Sequence, residues 1–184
     1  LAQDVDLILD GTDNFQTRFL MNDYAFRQRI PYIYGGVVAS RGMSVALVPG
    51  STPCLRCMLP NSGASSGETC DTVGVIAPVV DIVASHQAVE ALKLLVGRKE
   101  AVRRSLVTFD VWHNRYYEMQ LPEPSAECVV CGQKQYPALD LTAMDQVTTL
   151  CGRDSVQVSG GVPLDLKEWQ ERLARIGEVN ANPF

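Results

Sequence analysis

At 184 residues the chain has room for one substantial domain and a small second one. Its 46% apolar and 20% charged residues are those of an ordinary globular protein, and a net charge of −5 argues against a nucleic-acid surface. The start shows no basic segment leading into an apolar one, and the most apolar stretch, 73–96, is broken by Pro78, Asp81, His86, Gln87, Glu90 and Lys93. The sequence therefore reads as neither secretory nor membrane-spanning. Six cysteines without a secretory signal imply a reducing compartment, read as the cytoplasm. With no initiator Met and an abrupt end, the chain is expected to be a fragment of a longer polypeptide; an N-terminally processed whole protein is the alternative.

Residues 5–9 (VDLIL) have the pattern of a buried parallel strand. Gly11-Thr12-Asp13-Asn14 turns the chain into a helix over 15–27, with Phe15, Phe19, Leu20 and Tyr24 on its apolar stripe. Asp13 followed by Gln16 reads as a capping box. The strand, turn and helix form a βα unit, which places Asp13 at the carboxyl end of a strand, where open α/β sheets bind their ligands. An extended segment from Pro31 to Val38 and a strand over 43–48 are expected to form a hairpin about Ser40-Arg41-Gly42.

Pro53-Cys54-Leu55-Arg56-Cys57 and Glu127-Cys128-Val129-Val130-Cys131-Gly132 are the most informative motifs. Two CxxC pairs offer four thiolates, the donor set of a closed tetrahedral Zn²⁺ site. Gly132 suits the tight turn of such a knuckle. Two disulfides, two redox dithiols or four idle thiols are the alternatives. A four-sulfur site leaves no position for water, so its ion would join two distant segments without doing chemistry.

Between the pairs, 61–69 (NSGASSGET) reads as a mobile loop closed by Cys70. Cys70 has no CxxC partner. It is either a thiol activated by the following helix or a small buried hydrophobe. A long helix is expected over 78–96, with Val79, Ile82, Val83, Val89, Leu92 and Val96 facing the core and Gly97 as its stop. His86 falls on that face as a core histidine, and His113 in a surface turn. Arg98, Lys99, Arg103 and Arg104 form a basic cluster, by default a solvated loop. Strands follow at 105–110 and 116–121. Past Pro137 the composition changes, and a boundary is placed there: 1–137, then a small tail over 138–184 holding a strand at 156–158 and a helix over 166–176 capped by Asp165. Cys151, in that tail, reads as packed.

By spacing alone Asp13 is first an N-cap, and second a carboxylate that could hold Mg²⁺ on a nucleotide's phosphates. Asn14 and Arg18 share a helix face. Arg18 either meets an anionic substrate or, more simply, is a solvated surface residue.

Taken together, Asp10-Gly11-Thr12-Asp13-Asn14 with Arg18, Pro49-Gly50, Pro53-Cys54-Leu55-Arg56-Cys57, Thr69-Cys70, Gly74-Val75-Ile76-Ala77-Pro78, Gln87-Ala88-Val89-Glu90-Ala91-Leu92-Lys93 and the second knuckle resemble the ThiF/MoeB/HesA family, the bacterial relatives of ubiquitin-activating enzymes. The resemblance covers 1–137. It implies an α/β fold: the second half of a Rossmann-like adenylation domain, a four-cysteine zinc clip, and a small α+β tail. It implies ATP- and Mg²⁺-dependent adenylation of the C-terminal Gly-Gly of a ubiquitin-like sulfur-carrier protein, of the thiamine or molybdopterin type. Asp13 becomes the Mg²⁺ ligand and a catalytic residue, Asn14 and Arg18 line the nucleotide site, and Cys54, Cys57, Cys128 and Cys131 hold structural Zn²⁺. Cys70 matches a loop cysteine of sulfur transfer. A homodimer is implied, with a cysteine desulfurase as a possible sulfur donor. The family's glycine-rich nucleotide loop and its phosphate-contacting Lys, Arg and Asn are missing, so the chain alone is expected to be inactive. A non-catalytic, zinc-stabilised module that docks a ubiquitin-fold partner is the alternative.

Overall fold

The computed structural model describes residues 4–59, 73–140, 147–150, 155–158 and 165–179. The chain divides into two compact units, Leu1–Met144 and Asp145–Phe184. In the first, strands β1 (Ile8–Leu9), β2 (Tyr32–Val38), β3 (Arg41–Leu47), β4 (Ser105–Asp110) and β5 (Arg115–Gln120) form one sheet in that order. Helices α1 (Phe15–Gln28), α2 (Leu55–Met58) and α3 (Ala77–Leu95) accompany it. The β1–α1–β2 crossover makes β1 and β2 parallel, and every later pairing is antiparallel. The fold is thus α/β and Rossmann-like, with a mixed sheet.

Strand alternation sorts the core into layers. Tyr32, Tyr34, Val45 and Leu47 point to the side of Ala25, Phe26 and the cysteines. Ile33 and Ala46 point to the opposite side, with Ala91 of α3. Val79 and Val83 of α3 pack on Val107 and Phe109 of β4. The central strands are therefore covered on both faces, as apolar runs such as Pro31–Val38 require. Gly35 lets α3 approach closely: a Cβ there would lie 2.7 Å from the Gln87 side chain and 2.8 Å from Val83.

Several expectations need correcting. The VDLIL strand shrinks to two residues, and Leu9 is 50% exposed. Among the described residues β1 pairs only with β2, so it is a sheet edge. The cap of α1 is Asn14, whose side chain accepts from Thr17 N at 2.8 Å, not Asp13. The buried face of α1 is Arg18, Asn22, Asp23, Ala25 and Phe26, while Phe15 is exposed. On α3 the buried face is Val79, Val83, Gln87, Glu90 and Ala91. Ile82, Val89, Leu92 and Val96 face outward, because the side of α3 laid on β2 and β3 follows a neighbouring stripe. His86 is only half-buried, against Phe109 and Arg103. The basic cluster is dispersed: Arg98 pairs with Glu100, Arg103 reaches His86 and Ser44 O, and Arg104 reaches Ser51 O.

Both hairpins form, the first with its turn earlier than expected, since Arg41 and Gly42 already belong to β3. β2 turns into β3 through Ala39 and Ser40, with Val38 opposite Arg41, and β4 turns into β5 through residues 111–114. His113 sits exposed in that second turn, its Nδ1 2.7 Å from Asp110 Oδ2, which draws the Asp110 carboxyl down to about 2.

The second unit holds an antiparallel hairpin, β6 (Val147–Leu150) with β7 (Ser155–Val158), and helix α4 (Leu166–Leu173). Asp165 caps α4, accepting from Lys167 N and Glu168 N. The helix stops before Ile176, which is 84% exposed. The 61–69 loop, Cys70 and Cys151 lie outside the described residues. Among the described residues no helix is long and apolar enough to cross a membrane.

Candidate functional site

Two sites flank α1. The first is at the carboxyl end of β1. There Asp10 N donates to Ile33 O at 3.0 Å, which fixes the residue where the strand stops. Its carboxylate is buried and surrounded by donors: Thr12 N (2.9 Å) and Thr12 Oγ1 (2.8 Å) on one oxygen, Tyr32 Oη (2.7 Å) on the other. Burial, then the Asp10 charge, pushes the Tyr32 hydroxyl far above its ordinary range, so it stays protonated and donates. Gln87 Nε2 donates to Asp10 O (2.8 Å) and Ile33 O (3.1 Å), tying α3 to the ends of β1 and β2.

Arg18 lies beneath this turn. It is buried, not solvated as its spacing suggested. Nη2 donates to Thr12 O at 2.7 Å, Nε stands 3.5 Å from Asp10 Oδ2 without a hydrogen bond, and the guanidinium lies 5.3 Å from the ring centres of both Phe15 and Tyr34. A planar, weakly hydrated cation can be accommodated between two rings. Asp13 is exposed, with Oδ1 3.3 Å from Asn14 Nδ2. The motif's two acids thus divide: Asp10 is consumed in holding the turn, and Asp13 faces outward. An exposed carboxylate at a strand's carboxyl end suits a hard divalent cation, whereas Asp10 is already saturated with donors.

The second site is the cysteine clip. Cys54 opens α2 and Cys57 lies one turn on, while Cys128 and Cys131 sit in a turn closed by Gly132 N and Gln133 N donating to Cys128 O, both at 2.9 Å. The four sulfurs lie within 4.8 Å of one another. Cys54–Cys128 is 3.6 Å, Cys57–Cys131 3.5 Å and Cys54–Cys57 4.0 Å. All exceed the ~2.05 Å of a disulfide. A tetrahedral ion with ~2.3 Å metal–sulfur bonds sets its ligands roughly 3.8 Å apart, so the cluster fits a metal. Cys54 N donates to Cys131 Sγ at 3.1 Å. The Cys131 thiol's hydrogen bond draws Cys54 down to about 5, and the same contact pushes Cys131 up. Gly132 is needed for a reason other than turn conformation: a Cβ there would lie 2.0 Å from Ala126 O.

The structure therefore brings Asp13, Asn14 and Arg18 to one end of α1, and the four cysteines to one point. Thr12, Tyr32, Gln87 and the role of Asp10 escaped the sequence reading; the available signal was an acid immediately following an apolar run. Asn22 and Asp23, buried with Arg18, Ala25 and Phe26 on one side of α1, left no such signal.

A Rossmann-like sheet with an acidic strand-end turn, joined to a four-cysteine cluster able to hold a metal ion, defines the class to which this chain's fold belongs. The chain is a member of the ThiF family, which its residues 1–130 match. It is 41% identical over 189 aligned residues to the sulfur carrier protein ThiS adenylyltransferase of Bacillus subtilis, across 100% of this chain and 55% of that protein. It is 33% identical to the molybdopterin-synthase adenylyltransferase of Escherichia coli K12, across 72% of this chain and 53% of that protein. The chain thus spans about half the length of these relatives. In fold it resembles the microcin C7 biosynthetic enzyme MccB in complex with N-formylated MccA (TM-score 0.58, 18% identity, 71% of this chain and 42% of that one). It also resembles E. coli MccB with ATP (TM-score 0.56, 19% identity, 71% and 40%).

Proposed function

We propose that the protein containing this chain adenylates the C-terminal Gly-Gly carboxylate of a ubiquitin-like sulfur carrier. The observation that carries this reading is the 41% identity along the whole chain to a ThiS adenylyltransferase, supported by a strand-end turn with one exposed carboxylate, Asp13, and one buried and held by donors, Asp10. In the reaction, a carboxylate oxygen of the carrier bonds to the α-phosphorus of ATP as the bond to pyrophosphate breaks. A poor acyl donor becomes a mixed anhydride with a good leaving group.

Asp13 would hold Mg²⁺, which supplies charge neutralisation on the phosphates. Asn14 holds the start of α1 by capping Thr17 N. Arg18, fixed on Thr12 O, sets the shape of the turn and places positive charge beneath it. Asp10 and Tyr32 hold that turn rigid, so little reorganisation remains when charge develops there. The clip takes Zn²⁺ as a structural ion. Cys70 serves the later sulfur-transfer step. By family resemblance the protein works as a cytoplasmic homodimer supplied by a cysteine desulfurase.

The test is pyrophosphate exchange by the full-length protein with ATP, Mg²⁺ and a Gly-Gly-ended carrier. Exchange that depends on the carrier supports the reading, and none with any such carrier rejects it. Cys70→Ser should leave exchange intact and lower thiocarboxylate formation, read by mass spectrometry of the carrier; unchanged sulfur transfer removes Cys70 from the mechanism.

A further inference from the structure

Asn22 and Asp23 lie in the middle of α1, both completely buried, where a helix ordinarily presents apolar side chains. Asn22 Oδ1 accepts Leu55 N at 2.8 Å, the amide next to Cys54. Asp23 takes a two-pronged grip from Arg56, Nε on Oδ1 and Nη2 on Oδ2, each 3.0 Å. Arg56 sits between the cysteines of the first knuckle, and its guanidinium lies 4.5 Å from the ring centre of Phe19. Asp23 Oδ1 also receives Asn22 Nδ2 at 3.0 Å, and Oδ2 receives Ala138 N at 2.9 Å, in the turn Pro137–Leu139 that follows the second knuckle. One buried pair thus holds the flanks of both cysteine arms, segments that are far apart in sequence. Arg18, one turn earlier on the same helix face, holds the strand-end turn.

We propose that Asn22 and Asp23 are positioning residues of the cysteine clip, and that through α1 the clip and the Asp10–Arg18 turn form one mechanical unit. This rests on the reading that the clip holds a metal. A buried carboxylate is stable only where it is paired and fully hydrogen-bonded, so any shift of either knuckle leaves Asp23 under-satisfied and is resisted. Groups that orient ligands without touching the ion commonly change metal affinity 10- to 100-fold.

The experiment begins with the zinc content of the full-length wild-type protein. Release to a chromogenic chelator is then followed for wild type, Asp23→Asn, Arg56→Lys and the double variant, alongside the absorption spectrum of each cobalt-loaded protein. Asp23→Asn should speed release about tenfold and alter the thiolate–cobalt bands at temperatures where the protein is fully folded. The double variant should be no faster than Asp23→Asn alone, since the two act as a pair. Amide exchange at Thr12 and Thr17 should also accelerate in Asp23→Asn. Should Asp23→Asn not fold, Arg56→Lys, whose side chain is partly exposed, carries the same comparison. A wild type without bound metal rejects the metal reading and this proposal with it. A metal-loaded wild type with variants releasing within twofold of it, and with unchanged spectra, rejects the proposal alone.

Discussion

The two sites along α1, one at its start and one beside its middle, solve opposite problems. The strand-end turn is built almost entirely from neighbours in sequence: Asp10, Thr12, Asn14 and Arg18 bond to one another, with Tyr32 and Gln87 as the distant contributors. The clip is built from two segments far apart, and its sulfurs converge only because the sheet and α1 bring them together. The local site leaves a carboxylate facing outward. The long-range site closes on itself. A site open to solvent can meet a substrate, while a closed one can only hold structure, and the chain separates the two tasks along a single helix.

The largest effect should come from breaking the closed site. Cys131→Ser removes a buried member of the half-buried four-sulfur cluster, so bound metal should be lost and the melting temperature should fall by roughly 10 °C or more; metal analysis and calorimetry of the same preparation check this. The two acids of the open site should then part company. Asp13→Ala should cut pyrophosphate exchange by about 100-fold with a melting temperature within ~2 °C of wild type. Asp10→Ala leaves the buried Arg18 charge without its neighbouring carboxylate and removes the acceptor of Thr12 and Tyr32, which should cost about 3 kcal/mol of stability, read by chemical denaturation. If both variants lost activity without either losing stability, the division between them would be wrong.

A smaller effect tests the packing of the second knuckle. Gly132→Ala drives a methyl into Ala126 O, and about 2 kcal/mol of destabilisation is expected, with chelator release faster than wild type. The smallest concerns His86. Burial first, and Arg103 second, hold its imidazole below the ordinary value. The unfolded chain therefore binds the proton more readily, and stability is full above the unfolded value of about 6.5 and drains as pH falls toward the folded one. His86→Gln should show a shallower fall in melting temperature between pH 7.5 and pH 5.5 than wild type, while a parallel fall would remove His86 from the balance.

Much of the architecture was legible because its signals are local. Pro78 marked the start of α3, Asp165 the cap of α4, and β2 to β4 followed their apolar runs. The faces of α1 and α3 were read only in part, Val79 and Val83 being buried as expected, and the rest were misread for one shared reason. Apolar periodicity records which stripe is greasy, and a helix in this sheet can bury a polar stripe instead when that stripe has partners. Gln87 has two backbone carbonyls, Glu90 has Lys93 and Arg103 N, and Asp23 has Arg56 and Ala138 N.

What the amino-acid order determined unaided was therefore chemical and short-range: four thiols in two matched pairs, an acid-rich turn after a strand, and helices with recognisable ends. Only the tertiary structure decided which carboxylate is spent on the turn and which is exposed, that Arg18 is buried, and that Asn22 and Asp23 bond to Leu55 N and Arg56 of the first knuckle. The reason is energetic. A buried polar group is tolerable only with its hydrogen-bonding partners in place, and those partners come from segments whose proximity no local pattern encodes.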